Sequence, residues 1–429
     1  MRIHAILFFA ALVWIFAPVV SNSDPLLNPA ITGQDIVYEG QFALSKRAVD
    51  LLIHGGRAVG YDESHDSLFV GCKWDLKSYI AEVTIPDPSF DLYWDTLPVA
   101  SIIQPCQDVA DGTATIERYD SHVKGTLVDG NGDLVSSIES YYDAQCQQTL
   151  THGKQPGTDL SIPDDFTGYL PMVSDISGVD PRSLAGYMGK IPAEWRDILG
   201  GSAFTGSGGG AIVSCASEGP SLSVFNPGDI GASTPIQANT LLYYDYKTSA
   251  VADTYFYWKT DFRVEGAGIP SGSRTAVFVG YKGDNACYGD GTSDPNDPAL
   301  NDPDSGICYD LCTTNHGAHG YPYHPYAWLY DVADLVAVKN GTVNPEDVVP
   351  YEIVRLDDIE TFMEANGEIP GCTKIAGATM DTSNNLYVTP KYPLSGTHPT
   401  VFKYHVTIPD PYQSCVDQAI ADCQQQFPQ

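Results

Sequence analysis

Basic residues are scarce in this chain. Lys and Arg number 22 against 54 Asp and Glu over 429 residues, a formal net charge of −32. A surface that tracks nucleic-acid phosphates needs clustered Lys and Arg, so nucleic acid is not an expected partner. Long apolar runs are lacking as well. The stretch of note, Ala5 to Phe16, is shorter than the ~20 residues that cross a bilayer. It follows Arg2 and leads into Ala17, Pro18, Val19, Val20 and Ser21. A positive start, a short apolar centre and small residues for cleavage make residues 1–23 a signal peptide by pattern, with no membrane span expected after its removal. Enzyme signatures are missing too. Without a Gly-x-Ser-x-Gly elbow an α/β-hydrolase has no support, and without a Gly-x-Gly-x-x-Gly opening a helix neither has a nucleotide cofactor. His-Glu-x-x-His is also absent.

What is present argues for a folded, exported protein. Hydrophobic residues make up 43% of the chain and Tyr alone occurs 26 times, too much apolar surface for disorder. Ten cysteines, an even number, suit disulfides in an oxidising compartment, although spacing does not give their connectivity. Cys415 and Cys423 lie in a helix-like tail, residues 412–429. Eight residues of helix separate them by roughly 12 Å, beyond the ~7 Å that a disulfide tolerates between Cα atoms. If the tail is helical, each bonds elsewhere and tethers it.

Internal repetition is the strongest signal. Gly56-Arg-Ala-Val-Gly-Tyr-Asp62, Ser67-Leu-Phe-Val70 and Ile80-Ala-Glu-Val-Thr-Ile-Pro-Asp-Pro88 are echoed by Gly377-Ala-Thr-Met-Asp381, Asn385-Leu-Tyr-Val388 and Phe402-Lys-Tyr-His-Val-Thr-Ile-Pro-Asp-Pro411. Weaker copies run from Gly125 to Ile138, from Gly201 to Phe225 and from Val264 to Tyr330. β-Branched and aromatic runs between Gly, Asn and Asp turns read as antiparallel strands, with short helices expected at Pro192–Leu199 and Asp334–Lys339.

Repeats of three or four strands each resemble the blades of a β-propeller. The resemblance implies an all-β fold, a single propeller of five to seven blades spanning residues 24–411, followed by the short helical tail. Ile36 to Leu44 is the candidate strand that closes the last blade. A β-sandwich array is the competitor, and it explains the likeness of first and last units less well.

Chemistry-bearing residues are dispersed. Loops entering the innermost strands of a propeller converge on its channel mouth, which could gather His54, Arg57, His122 and Arg274. Secreted propeller polysaccharide lyases are similar at the level of fold and use His, Tyr and Arg, the cation neutralising a uronate carboxylate while Tyr or His moves protons. By that likeness His122, His152, Tyr187 and Arg274 are the catalytic candidates, and His54, Arg57, Tyr321 and His324 the substrate-binding ones. So acidic a protein repels acidic glycans unless Ca²⁺ or a local basic patch intervenes.

Asp284, Asp290, Asp294, Asp297, Asp302, Asp304 and Asp310 crowd one segment, expected to be a loop inserted between two strands of one blade. It is either solvated or a Ca²⁺ site. Beside it, Cys287, Cys308, Cys312, His316 and His319 are either disulfide cysteines with neighbouring imidazoles or ligands of a structural Zn²⁺. Asp129-Gly-Asn-Gly-Asp133 begins like a calcium loop but carries Leu134 and Ser140 where Gly and Glu are needed, so it reads as a hairpin turn. No cofactor is required by the sequence. The expected function is binding or degrading an extracellular polysaccharide, with a non-catalytic scaffold or a calcium-dependent lactonase-type hydrolase as alternatives.

Overall fold

The computed structural model describes residues 24–44, 57–72, 78–110, 121–140, 143, 146–161, 165–209, 219–244, 262–302, 304–391 and 399–410. The expected signal peptide, His54, Cys215 and the C-terminal tail with Cys415 and Cys423 lie outside these residues.

The fold is all-β and propeller-like. After β1 (Ile36–Leu44) come β2 (Gly60–Asp62), β3 (Ser67–Gly71), β4 (Tyr79–Thr84), a short β5 (Val99–Ala100) and β6 (Ile102–Asp108). Strands β2, β3, β4 and β6 form a four-stranded antiparallel meander. A second follows from β7 (Ser121–Val128), β8 (Leu134–Ser140), β9 (Leu150–Gln155) and β10 (Leu170–Ser174). The third has β11 (Tyr187–Lys190), helix α1 (Ala193–Leu199), β12 (Ala203–Gly206), β13 (Leu222–Phe225) and β14 (Ile236–Leu242).

In the fourth, β15 (Phe262–Gly268) and β16 (Thr275–Gly283) precede an insertion of three short strands, β17 (Cys287–Thr292), β18 (Ile307–Tyr309) and β19 (Gly317–His319). The meander resumes with β20 (Tyr323–Asp331), helix α2 (Val332–Lys339) and β21 (Glu352–Arg355), followed by helix α3 (Asp357–Ala365). The fifth is β22 (Lys374–Met380), β23 (Asn385–Lys391) and β24 (Thr400–Val406), completed by β1 against β24. The first strands touch in a closed cycle, β2 to β7, β11, β15, β22 and back to β2. Parallel pairing of Gly266 on β15 with Ala378 on β22 sets their common direction, so their N-terminal ends share one mouth of the central channel.

Packing follows from this closure. Strands between neighbouring meanders are buried on both faces, so β3 and β8 are buried along their whole length instead of alternating. Trp195 of α1 is fully buried and donates from Nε1 to the Ser273 carbonyl at 3.0 Å. Gly200 stops α1 in the left-handed region at φ 86°.

The closing strand, the inserted segment, the Asp129–Asp133 hairpin and both expected helices have the anticipated places. Two corrections concern the elements. In the third unit the innermost strand is β11, one strand earlier than the Gly201–Gly206 segment suggests; Tyr187–Lys190 is only four residues long and lacks the Asp found at the ends of β2, β7 and β22. Helix α3 was not expected, although Asp357, Asp358 and Glu360 in its first turn complement the helix dipole.

Disulfides join Cys72 to Cys106, Cys287 to Cys308 and Cys312 to Cys372, and Cys146 is disulfide-bonded as well. This corrects the zinc alternative. Cys287, Cys308 and Cys312 hold their sulfurs in disulfides and offer no thiolate to a metal. Among the described residues no helix is long and apolar enough to cross a membrane.

Candidate functional site

One mouth of the channel gathers the scarce cations. Arg57 precedes β2, Lys124 lies on β7, Arg182 in the segment before β11, Arg263 at the start of β15, and Lys374 opens β22 with Lys391 opposite it on β23. Six of the 22 basic residues thus meet in one place. Two carboxylates stand among them. Lys124 Nζ lies 2.5 Å from Glu265 Oε2 and 3.9 Å from Glu139 Oε2, and Arg263 Nη1 is 4.0 Å from Glu265 Oε1. Arg182 donates to Glu139 Oε1 and, from Nε, to the Ser140 carbonyl at 2.7 Å. Burial opposes ionisation of Glu139, but Arg182, Lys124, Arg263 and Arg57 hold its carboxyl below the usual range.

The lysines are perturbed in the opposite sense. Lys374 and Lys391 are directly opposed across the β22–β23 ladder, where like charges repel. Burial, then Arg57, Lys374 and Arg263, lower Lys391 to about 7 against the partial support of Glu265. Burial lowers Lys374 to about 8, although Asp310 favours its charge. Lys374 Nζ sits 3.4 Å from the centre of the Tyr323 ring and 5.7 Å from that of Tyr281, so aromatic faces take the place of water around the ammonium. Behind Tyr323, the buried Asp310 accepts from Tyr323 Oη at 2.8 Å and lies 2.9 Å from His319 Nδ1. Perturbed pKa values of this kind, meeting in a channel mouth, mark a functional-site candidate.

The expected site residues divide. Arg57 is at the basic mouth, coupled electrostatically to Glu265, Arg263, Glu139 and Tyr281. His122 is buried on β7 in register with Glu139, two residues before Lys124. Tyr187 begins β11, where its hydroxyl donates to the Ser221 carbonyl at 2.6 Å and burial raises its pKa well above 10. His152 lies in the packing of the second and third meanders, its Nε2 3.1 Å from Thr205 Oγ1 and its ring 5.2 Å from Phe225. Burial drops His152 to about 3. Arg274 is on the β15–β16 turn, at the far end of the channel from Arg263, with Nε 3.2 Å from Asp331 Oδ2.

The inserted segment and the start of β20 hold the rest. His324 Nδ1 lies 3.0 Å from Glu360 Oε2 and 2.9 Å from Arg355 Nη2, on the α3 side of β20. Tyr321 Oη donates to the Pro370 carbonyl at 3.2 Å. His316 is exposed beside Asp290 at 2.8 Å, apart from the buried His319. The acidic loop is held largely by its own turns: Asp294, Asp297 and Asp302 accept from Asn296, Ala299 and Asp304 backbone N–H groups.

A cavity of about 290 Å³ opens at the other end of the channel, near Tyr61, Asp129, Gly268 and Asp381. Its charged groups include Lys190 and Glu63, 3.6 Å apart, with Glu63 side chain 60% exposed. That end offers space, whereas the basic mouth gathers the amines with lowered pKa values. The latter is the better candidate.

Sequence reasoning missed Lys124, Arg182, Arg263, Lys374, Lys391, Glu139 and Glu265. Their only trace was scarcity: in so acidic a chain, a Lys or Arg at the start of an innermost strand is informative.

No protein-family model matches the chain, and no curated protein matches it. Among solved structures the chain matches a luciferin-regenerating enzyme at 9% identity with a TM-score of 0.35, covering 86% of this chain and 91% of that one.

Proposed function

We propose that this is a secreted propeller that binds an acidic extracellular polysaccharide at the basic channel mouth and cleaves it by β-elimination. The observation that carries the reading is the opposed pair Lys374 and Lys391, tuned to about 8 and 7 among Arg57 and Arg263 in a chain of charge −32. It supplies the local basic patch that an acidic protein needs to hold a polyanion. Arg57 and Arg263 neutralise the uronate carboxylate, which makes the proton on the adjacent carbon removable. Neutral Lys391 takes that proton. The carbon–oxygen bond to the leaving sugar breaks as the ring double bond forms, and the Lys374 ammonium gives its proton to the departing oxygen. Two amines lowered toward neutrality, one able to act as base and the other as acid, suit the two roles.

A lactonase-type hydrolase would need Asp, Glu and Asn around a central ion. Here the two carboxylates, Glu139 and Glu265, are engaged by Arg182 and Lys124, which favours the elimination at this mouth. A scaffold would not require amines held near neutrality. The test is incubation with polyuronates and neutral glycans, following unsaturated-uronate absorbance and new reducing ends. Unsaturated products from polyuronates alone are expected. Silence on every polyuronate, with the fold intact, sinks the proposal.

A further inference from the structure

We infer that Asp62, His65 and Glu82 form a binding site for one divalent transition-metal cation, in the first meander and apart from the basic mouth. Asp62 ends β2, His65 is in the β2–β3 turn and Glu82 is on β4. His65 Nδ1 lies 2.9 Å from Glu82 Oε1 and 3.3 Å from Asp62 Oδ2, and the three donor atoms fall within 4.8 Å of one another. Donors held ~2.0–2.2 Å from one ion at tetrahedral to octahedral angles stand roughly 2.9–3.5 Å apart, so these separations fit a shared cation.

Burial supplies the independent argument. Asp62 and Glu82 are both fully buried, while the His65 side chain is half exposed. Asp62 Oδ1 accepts from the Ser64 backbone and hydroxyl, but Asp62 Oδ2 is buried with no hydrogen-bond partner and faces His65. Two buried carboxylates around one imidazole, with one oxygen unsatisfied, form a cluster that a cation completes.

The last unit shows what the same positions do without that need. Alignment on Val-Thr-Ile-Pro-Asp-Pro puts Asp381, Asn385 and His405 opposite Asp62, Ser67 and Glu82. There Asn385 bridges the pair, donating to Asp381 Oδ2 at 2.8 Å and lying 3.0 Å from His405 Nδ1, while Tyr387 also donates to Asp381 Oδ2. The recurring Asp is therefore a turn former in itself. In the first unit Ser67 reaches only Glu82, an acid replaces the histidine, and the second Asp62 oxygen is left over. Two carboxylates and an imidazole suit Zn²⁺ or Mn²⁺, and the exposed side of His65 leaves room for water as a further ligand.

The test uses the full chain stripped of metal, titrated with Zn²⁺ by calorimetry and with Co²⁺ by visible absorption. One equivalent is expected, with Co²⁺ d–d bands. His65→Ala and Asp62→Asn should each weaken binding ~10-fold or more with unchanged circular dichroism. Asp62→Asn retains the oxygen that accepts from Ser64, so it isolates the second oxygen from the turn. Absence of binding by the wild type, or wild-type affinity in both variants, overturns the inference.

Discussion

Replacing Lys391 with Met should stabilise the protein most at low pH. Folded Lys391 titrates at about 7, below the ordinary 10.5, so the unfolded chain binds the extra proton between those values. Stability therefore rises with pH through that window, and the destabilisation is fully present below pH 7. Taken at face value, the shift changes stability by about 3 kcal/mol between pH 6 and pH 9. Lys391 is partly exposed, so ~1–2 kcal/mol is the expected effect after allowing for solvent. Met keeps the unbranched stem and removes the charge. Urea denaturation of wild type and Lys391→Met at both pH values, disulfides intact, measures the change. The variant's advantage should be larger at pH 6 than at pH 9. A difference independent of pH would refute a depressed Lys391 and, with it, the argument that this amine is available as a base.

Lys391→Arg keeps the positive charge but cannot lose its proton, so it should retain polyuronate binding while elimination falls by 10²-fold or more. In the wild type kcat/KM should rise with pH to a break near 7, read from initial rates of unsaturated product. Gly266→Ala would place a methyl 2.2 Å from the Ala378 carbonyl oxygen, where the innermost strands of the fourth and fifth meanders meet. A loss of about 1–3 kcal/mol in urea denaturation is expected. Oligouronate association should be faster at 0.1 M than at 0.01 M salt, because the screening length falls from ~30 to ~10 Å and the chain's overall negative charge repels the ligand from afar. Stopped-flow mixing checks the direction.

The repeats were legible because their turns are made by side chains whose geometry is local. Asp62, Asp129 and Asp381 each end an innermost strand and accept from backbone N–H groups two residues on. At β11 that Asp is missing and the strand is only four residues long, so the start of the third unit was not legible. The closing strand was legible because the likeness of first and last units suits a ring, in which Ile36–Leu44 completes the last unit against β24. The site was not legible. Arg57, Lys124, Arg182, Arg263 and Lys374 come from all five units and share no spacing; only closure of the ring brings them together. Histidine drew the reading elsewhere. His152 shows why: a buried imidazole beside Thr205 and Phe225 satisfies packing and one hydrogen bond and is held neutral.

The charge balance gains a physical meaning from this arrangement. Net charge acts over distances set by salt, whereas the cations at the mouth act over a few ångströms in a site poor in water. An excess of 32 negative charges and a mouth lined by Lys and Arg are therefore compatible, and the first sharpens the second. On the proposed reading, the net negative charge holds polyanions off most of the surface and the six cations of the mouth receive them. Burial brings the two lysines close to neutrality, and the neighbouring cations, Arg263 beside both and Arg57 beside Lys391, lower them further. Binding and base strength are thus set by one feature. Removing a single cation such as Arg57 should weaken attraction for the polyanion and raise Lys391 together, whereas a purely structural cluster would link neither to the ligand.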